Sequence, residues 1–153
     1  MSNEFQKPFT APPAIFAAAV LLGMGIEVIY PLPSMPLLLQ LGLGVAVLTV
    51  GGLLIRKSMQ SIDAAGTTYN PYAASTVLVT TGIYEHTRNP GYLGLAVIQL
   101  GLALIIDSLW IAATAVAAIM VTDHFVIRLE EKKLRRAFGQ DYIDYLARVR
   151  RWI

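Results

Sequence analysis

Two stretches of the chain gather residue types able to do chemistry. The first, GIYEHTRNPGYLG (82–94), places Tyr84, Arg88, Asn89 and Tyr92 directly ahead of an apolar run. Asn is a favoured N-cap, and Pro is tolerated at the first helical position, where its missing N–H has no partner inside the helix. Asn89-Pro90 therefore predicts a helix start. Gly91 and Gly94 let a ligand or another backbone approach closely, and the amide donors of that first turn with Arg88 alongside suit a carboxylate or a phosphate. The plainer reading makes Arg88 a membrane-surface anchor and gives Tyr84 and Tyr92 to an aromatic belt.

The second stretch, RLEE (128–131), sets Arg128, another candidate for holding an anion, beside Glu130 and Glu131, whose carboxylates can take a ligand's ammonium group. Its plain reading is a helix surface on which these acids pair with Lys132, Lys133 and Arg135, each pair worth roughly 0.2–0.5 kcal/mol. Glu27, Asp123 and His124 fall near the ends of apolar runs. Ionisable groups there either act or simply reach headgroups and water.

The elements that must position these groups are set by composition. Hydrophobic residues make up 56% of the 153 and charged ones 14%, and no Lys or Arg occurs between Lys7 and Arg56 or between Arg88 and Arg128. That clustering is the mark of an all-α integral membrane chain. Four spans are expected, at about 14–30, 37–55, 91–106 and 109–127, the third of them short for a hydrocarbon layer of about 30 Å. Between the last two lies only Asp107-Ser108, a pair suited to N-capping, so they form a tight antiparallel hairpin. This brings 82–94 and 128–131 together at one face of the membrane. The loops 31–36 and 107–108 carry no Lys or Arg, whereas the N-terminus, the 56–90 loop and the tail do. Both termini are expected in the cytoplasm, across the cell inner membrane.

Residues 61–76 are rich in turn formers, and TVLVTTG (76–82) reads as a strand or an extended interfacial segment. The tail begins as a helix with Glu131 and Arg135 at i,i+4 and stops at Gly139. A second helix puts Tyr142, Tyr145, Leu146 and Val149 on one face. Arg148, Arg150, Arg151 and Trp152 suit an anionic headgroup surface.

The absence of cysteine excludes disulfides, thiolate metal sites and a Cys nucleophile. His86 and His124 are the only histidines, without metal-ligand spacing, and no metal is expected. The chain has no P-loop, GxGxxG or GxSxG pattern, and nothing specific supports binding to nucleic acid. The start, Met1 to Pro13, lacks the basic n-region of a cleaved signal peptide.

LVTTGIYEHTRNPGYLG (78–94), an apolar hairpin, and then RLEEKKLRRAFGQDYIDYLARVRRWI (128–153) together resemble the isoprenylcysteine carboxyl methyltransferase and phospholipid methyltransferase superfamily. The matching pattern is LVTxGxYxxxRxPxYxG, then EE, then FGxxYxxYxxxVxRW. The resemblance implies one membrane methyltransferase domain over 1–153, with residues 76–153 as its cofactor-binding half and S-adenosylmethionine as cofactor. It implies that Leu78, Val79, Tyr84, Pro90 and Tyr92 line the cofactor, that Glu130 holds its amino group, and that Gly91 and Glu131 lie in the same site. Asn89 stands where the carboxyl methyltransferases usually have histidine, and is expected to donate to the methionine carboxylate. Arg88 and Arg128 are the candidates for positioning an acceptor or its anion; the substrate arginine of those enzymes corresponds in position to Val126.

Methyl transfer from a sulfonium needs alignment and exclusion of water more than a covalent nucleophile. The expected acceptor is lipophilic or small and apolar, bearing a carboxylate, amine or thiol and drawn from the lipid phase. A second copy completing the pocket of so short a chain is left open. Two other readings are a four-helix binding or transport protein and a nicotinamide-dependent reductase like the sterol reductases. The gathering of polar residues at one face argues against the first, and the small number of spans against the second.

Overall fold

The computed structural model describes residues 11–32, 35–66 and 77–153, so the turn-rich part of the 61–76 loop lies largely outside the described residues, as does Lys7. Among the described residues six α-helices follow in order: α1 (Pro12–Ile29), α2 (Leu37–Ala64), α3 (Pro90–Ile106), α4 (Leu109–Thr122), α5 (Arg128–Phe138) and α6 (Gln140–Arg148). A 3₁₀ turn (Gly82–Glu85) precedes α3, and a π-helical turn (Asp123–Ile127) joins α4 to α5 without a break. No strand forms among the described residues, and 77–81 is irregular rather than β. The chain is an all-α integral membrane protein.

Three helical stretches, Pro12–Ile29, Leu37–Ala64 and the continuous Leu109–Phe138, are long and apolar enough to cross a membrane. Helix α3 has 17 residues, about 25 Å at 1.5 Å per residue, and lies packed along α2. The sequence pattern ends the second span at 55, but the helix runs on to Ala64. Its last turns leave the apolar layer while Ile62 and Ser58 stay buried against the protein.

Packing between helices relies on glycine. Gly44 and Gly51 on α2 face Gly101 and Gly94 on α3, seven residues apart in each antiparallel helix. A Cβ on Gly51 would stand 2.8 Å from the Ile98 nitrogen and 2.9 Å from the Gly94 carbonyl oxygen. Gly94 thus serves the approach of another backbone, not of a ligand. In the same way Gly23 on α1 lies against the backbone of Ile111 on α4, where an added Cβ would be 2.7 Å from its Cα. Lipid tails offer no hydrophobic drive for helices to associate, so close backbone approach supplies the dispersion contacts instead. One polar tie crosses the interior: Gln99 on α3 donates to the Ile111 carbonyl at 3.1 Å and to the Thr114 hydroxyl at 3.2 Å on α4.

The end of the bundle away from the cationic tail is closed by its own pins. Ser108 caps α4 by accepting from the Ile111 amide, as its position in the two-residue turn predicts, and Asp107 before it adopts the left-handed conformation. Ser108 also donates to Glu27 at 2.7 Å, and Glu27 accepts from the Leu32 amide at 3.1 Å. Glu27 is therefore a structural acid that ties the end of α1 to the α3–α4 turn. Gly51→Ala or Gly94→Ala is expected to destabilise the fold by about 1–3 kcal/mol through overpacking. Gly25→Ala, where nothing lies within 4 Å, is expected to be neutral or slightly stabilising. Unfolding of the three variants in detergent checks this.

Candidate functional site

At the cationic end of the bundle the 3₁₀ turn folds back on α2. The Ser58 and Tyr84 hydroxyls share a hydrogen bond of 2.9 Å, and Tyr145 on α6 donates to the Tyr84 carbonyl at 2.7 Å. Gly82 enters the turn with φ of 66°, where a Cβ would lie 2.6 Å from the Ser61 hydroxyl, so both conformation and space ask for glycine. Burial raises the pKa of the Tyr84 phenol, partly offset by the bond to Ser58, and the nearby Glu130 charge raises it further. The phenol is a neutral hydrogen-bonding group. Next to this pair a cleft of about 510 Å³ opens between Lys57, Gln60 and Ser61 of α2 and Thr81, Gly82 and His86.

The two stretches singled out in the sequence do meet. Tyr92, in the first turn of α3, donates to Glu130 Oε1 at 2.7 Å. Around Tyr92 pack Val126 and Ile127 of the π-helical turn, both almost fully buried, with Ile15, Leu95 and Trp152 at the edges. Pro90 is wholly buried and Gly91 half-buried at the head of α3, while Leu78 packs against the Tyr142, Tyr145 and Val149 cluster of α6 and Val79 is half-buried beside it in the chain. The face predicted for α6 is the face that is buried.

Several side chains have partners that the sequence did not suggest. Asn89 occupies the N-cap position but makes no side-chain cap bond; its amide instead donates to the Arg151 carbonyl at 2.9 Å. Arg88 does not stand open beside the helix end. It is 3.0 Å from Glu131 Oε1, and its backbone N–H donates to the Arg150 carbonyl at 3.0 Å. Glu131 is buried and faces Arg88 and Arg151 rather than Arg135, because two guanidinium groups shielded from solvent outcompete one exposed i+4 neighbour. Arg128 points to the surface, with its Nε 3.4 Å from Asp123. Arg151 and Trp152, expected at the headgroups, turn inward. Arg151 forks onto Glu131 (Nε to Oε1 3.0 Å, Nη2 to Oε2 2.7 Å) and reaches Asp123 through Nη1 at 3.2 Å, and the Trp152 indole donates to Asp123 at 3.3 Å. Asp123 is thus an anchor for the tail, and His124 is exposed with its ring edge-on to Phe125.

The arrangement has two chemically distinct parts. One is a half-buried carboxylate, Glu130, bonded to a phenol whose ring packs among apolar side chains. The other is a charge cluster of Arg88, Glu131, Arg151 and Asp123, in which Arg88 Nε is buried without a hydrogen-bond partner. Hydrogen bonding to Glu131 raises the pKa of Arg151 further, so that the cluster keeps its charges. Among the described residues no group of three His, Asp or Glu is disposed to hold a metal ion.

A family model described as phospholipid methyltransferase matches residues 39–141, from the start of α2 to the start of α6. No curated protein and no solved structure matches the chain.

The tyrosines of α6 give the site a pH limit. Burial, helped by the negative Glu131, pushes Tyr142 up to about 12 from an ordinary 10.0, and burial raises Tyr145 likewise. A phenol that stays protonated in the fold but ionises in the unfolded chain loses stabilising power as pH rises from 10 towards 12. Thermal melting at pH 9 and pH 11 is expected to show a smaller loss at the higher pH for Tyr142→Phe than for the parent chain.

Proposed function

Because the chain belongs to the phospholipid methyltransferase family, we propose that it transfers a methyl group from S-adenosylmethionine to a lipophilic acceptor at the cationic end of its helical bundle. The observation that carries this reading is the pairing of Glu130 with Tyr92, beside an Arg88 whose buried Nε lacks a partner. The amino-acid part of the cofactor carries one ammonium and one carboxylate. Glu130 fits the ammonium, and the unsatisfied donor of Arg88 fits the carboxylate, since a buried donor without a partner costs about 1–3 kcal/mol until it finds one. When bound, S-adenosylmethionine supplies an electrophilic methyl group on a cationic sulfur.

The residues around it supply placement and dryness. Tyr92 holds one Glu130 oxygen by its hydroxyl and leaves the other for a ligand N–H. Val126, Ile127 and Trp152 pack around Tyr92, and the dryness they give the phenol strengthens its hold on the carboxylate and favours a transfer in which opposite charges cancel. No general base is built into the Glu130–Tyr92 pair, so a carboxylate or thiolate acceptor needs nothing more, while an amine acceptor gives its proton to water. Tyr84 and the head of α3, with Pro90 and Gly91, complete the wall of the pocket, and Leu78 and Val79 back it from the loop side. Arg128, exposed on α5 with Asp123 3.4 Å away, is the cation that would meet an anionic acceptor at the rim.

The same reading sets the chain's surroundings. The Lys and Arg bias supports a cytoplasmic cationic end with both termini on that side, and the reading takes the cell inner membrane as the site of action. The exposed cations of α5 (Lys132, Arg135, Arg136), next to the exposed Ile143 of α6, suit anionic headgroups. Acceptor entry is lateral, from the lipid, and the cofactor enters from water.

Calorimetry with S-adenosylhomocysteine, on protein in lipid nanodiscs, tests the proposal. The parent chain is expected to bind, Glu130→Gln to lose about tenfold or more in affinity, and Tyr92→Phe to lose less, in keeping with a charge-assisted bond of roughly 1.5–3 kcal/mol. Absence of binding by the parent chain in both detergent and lipid overturns the function. Labelled methyl transfer to lipid extracts and to lipophilic thiols and carboxylates then identifies the acceptor.

A further inference from the structure

The C-terminal segment after α6 crosses the foot of the bundle, and its backbone is tied down first. The Arg151 carbonyl accepts from the Asn89 amide at 2.9 Å and from the Thr87 hydroxyl at 3.3 Å, and the Arg150 carbonyl accepts from the Arg88 N–H. These bonds fix where the Arg151 side chain begins. Its guanidinium then binds two carboxylates that lie on either side of the π-helical turn: Asp123, the first residue of that turn, and Glu131, in the first turn of α5 beyond it.

A π-helical turn holds one residue more than an α-helical one and is rarely stable unless its surroundings fix it. If it relaxed to regular α-helix, everything after it would rotate by about 100°, the angle between successive helical residues. Glu130 would then leave Tyr92. Because Glu130 and Glu131 are adjacent, holding Glu131 towards the tail is what keeps Glu130 turned towards α3.

We propose that Arg151 is a positioning residue of the methyl-transfer site, clamping the π-helical turn between Asp123 and Glu131 so that Glu130 faces Tyr92. The proposal rests on the function given above for the pocket, but the clamp itself can be read independently of it. Lysine cannot replace arginine here, since an ammonium group has no planar fork to meet both Glu131 oxygens while a third N–H reaches Asp123. Asn89 shares the task by fixing the backbone from which the clamp extends.

The test uses the full chain in lipid nanodiscs, as the parent and as Arg151→Lys, Arg151→Gln and Asp123→Asn. Three quantities are measured: affinity for S-adenosylhomocysteine, melting temperature, and hydrogen exchange of the amides in 123–131. Arg151→Lys is expected to weaken binding at least tenfold with a melting temperature within a few degrees of the parent, and to speed exchange across 123–131. Asp123→Asn, which leaves the Glu131 fork in place, is expected to give a smaller change of the same kind. A role in stability alone would lower the melting temperature and leave the affinity of the folded protein unchanged, and that result overturns the proposal. So does unaltered exchange over 123–131 in the Arg151 variants, or in Asp123→Asn should neither Arg151 variant fold. If the parent fails to bind, the function assigned to the pocket fails, and the exchange measurement still decides whether the clamp exists.

Discussion

The fork between Arg151 and Glu131 is the interaction on which the cationic end of the molecule depends. It joins the last residues of the chain to the foot of the α4–α5 helix, and Arg88, bound to the same carboxylate, joins both to the head of α3. A carboxylate shielded from water is stable only with such company, because desolvation of a lone charge costs several kcal/mol. Here one acid is shared by two guanidinium groups, and a second acid, Asp123, balances the pair. The arrangement is local in space but brings together residues 88, 123, 131 and 151, and it leaves Glu130 as the acid beside Tyr92.

Such a cluster holds geometry only if the helices beneath it are fixed. In the lipid-facing part of the bundle that rigidity comes from shape: Gly51 against Gly94 and Gly44 against Gly101 let α2 and α3 touch along their backbones. Because α2 continues beyond the apolar layer, the same contact carries Ser58 out to Tyr84, and the 3₁₀ turn is referenced to α2 as well as to α6. Positions of polar groups at the foot thus derive from glycine contacts in the middle of the bundle.

How much of this was legible follows from the range of each interaction. The helices could be read because apolar runs and charge gaps are properties of contiguous sequence, and the Asp107-Ser108 turn because capping is local. Tyr92 and Glu130 were brought together by one inference, that a two-residue turn returns the chain to the same face. Asn89 holds the N-cap position that its residue type predicts, but the partner of its side chain lies 62 residues away, beyond any local signal. Arg151 looked like a headgroup cation for the same reason; no periodicity links it to Glu131. The π-helical turn leaves no compositional trace, though the seven-residue glycine spacings of 44–51 and 94–101 are visible in the sequence and would have predicted the α2–α3 contact.

The two ends of the bundle also bear on what kind of protein this is. At the far end the polar groups close on one another: Glu27 with Ser108 and Leu32, Asp107 with the Met35 amide, Trp110 with the Tyr30 carbonyl. In the middle, Gln99 and Thr114 bond to α4 and to each other. A path for a polar solute across the bilayer would need polar groups in series that could exchange their partners for the solute, and at mid-depth those groups already bridge α3 and α4. Gln99 Oε1 and Thr122 Oγ1 are also buried without a partner, but isolated atoms do not make a path. At the cationic end an unmatched donor of Arg88 is joined by a cleft beside Tyr84. An opening at one interface suits chemistry between a water-borne and a membrane-borne reactant better than passage through the membrane.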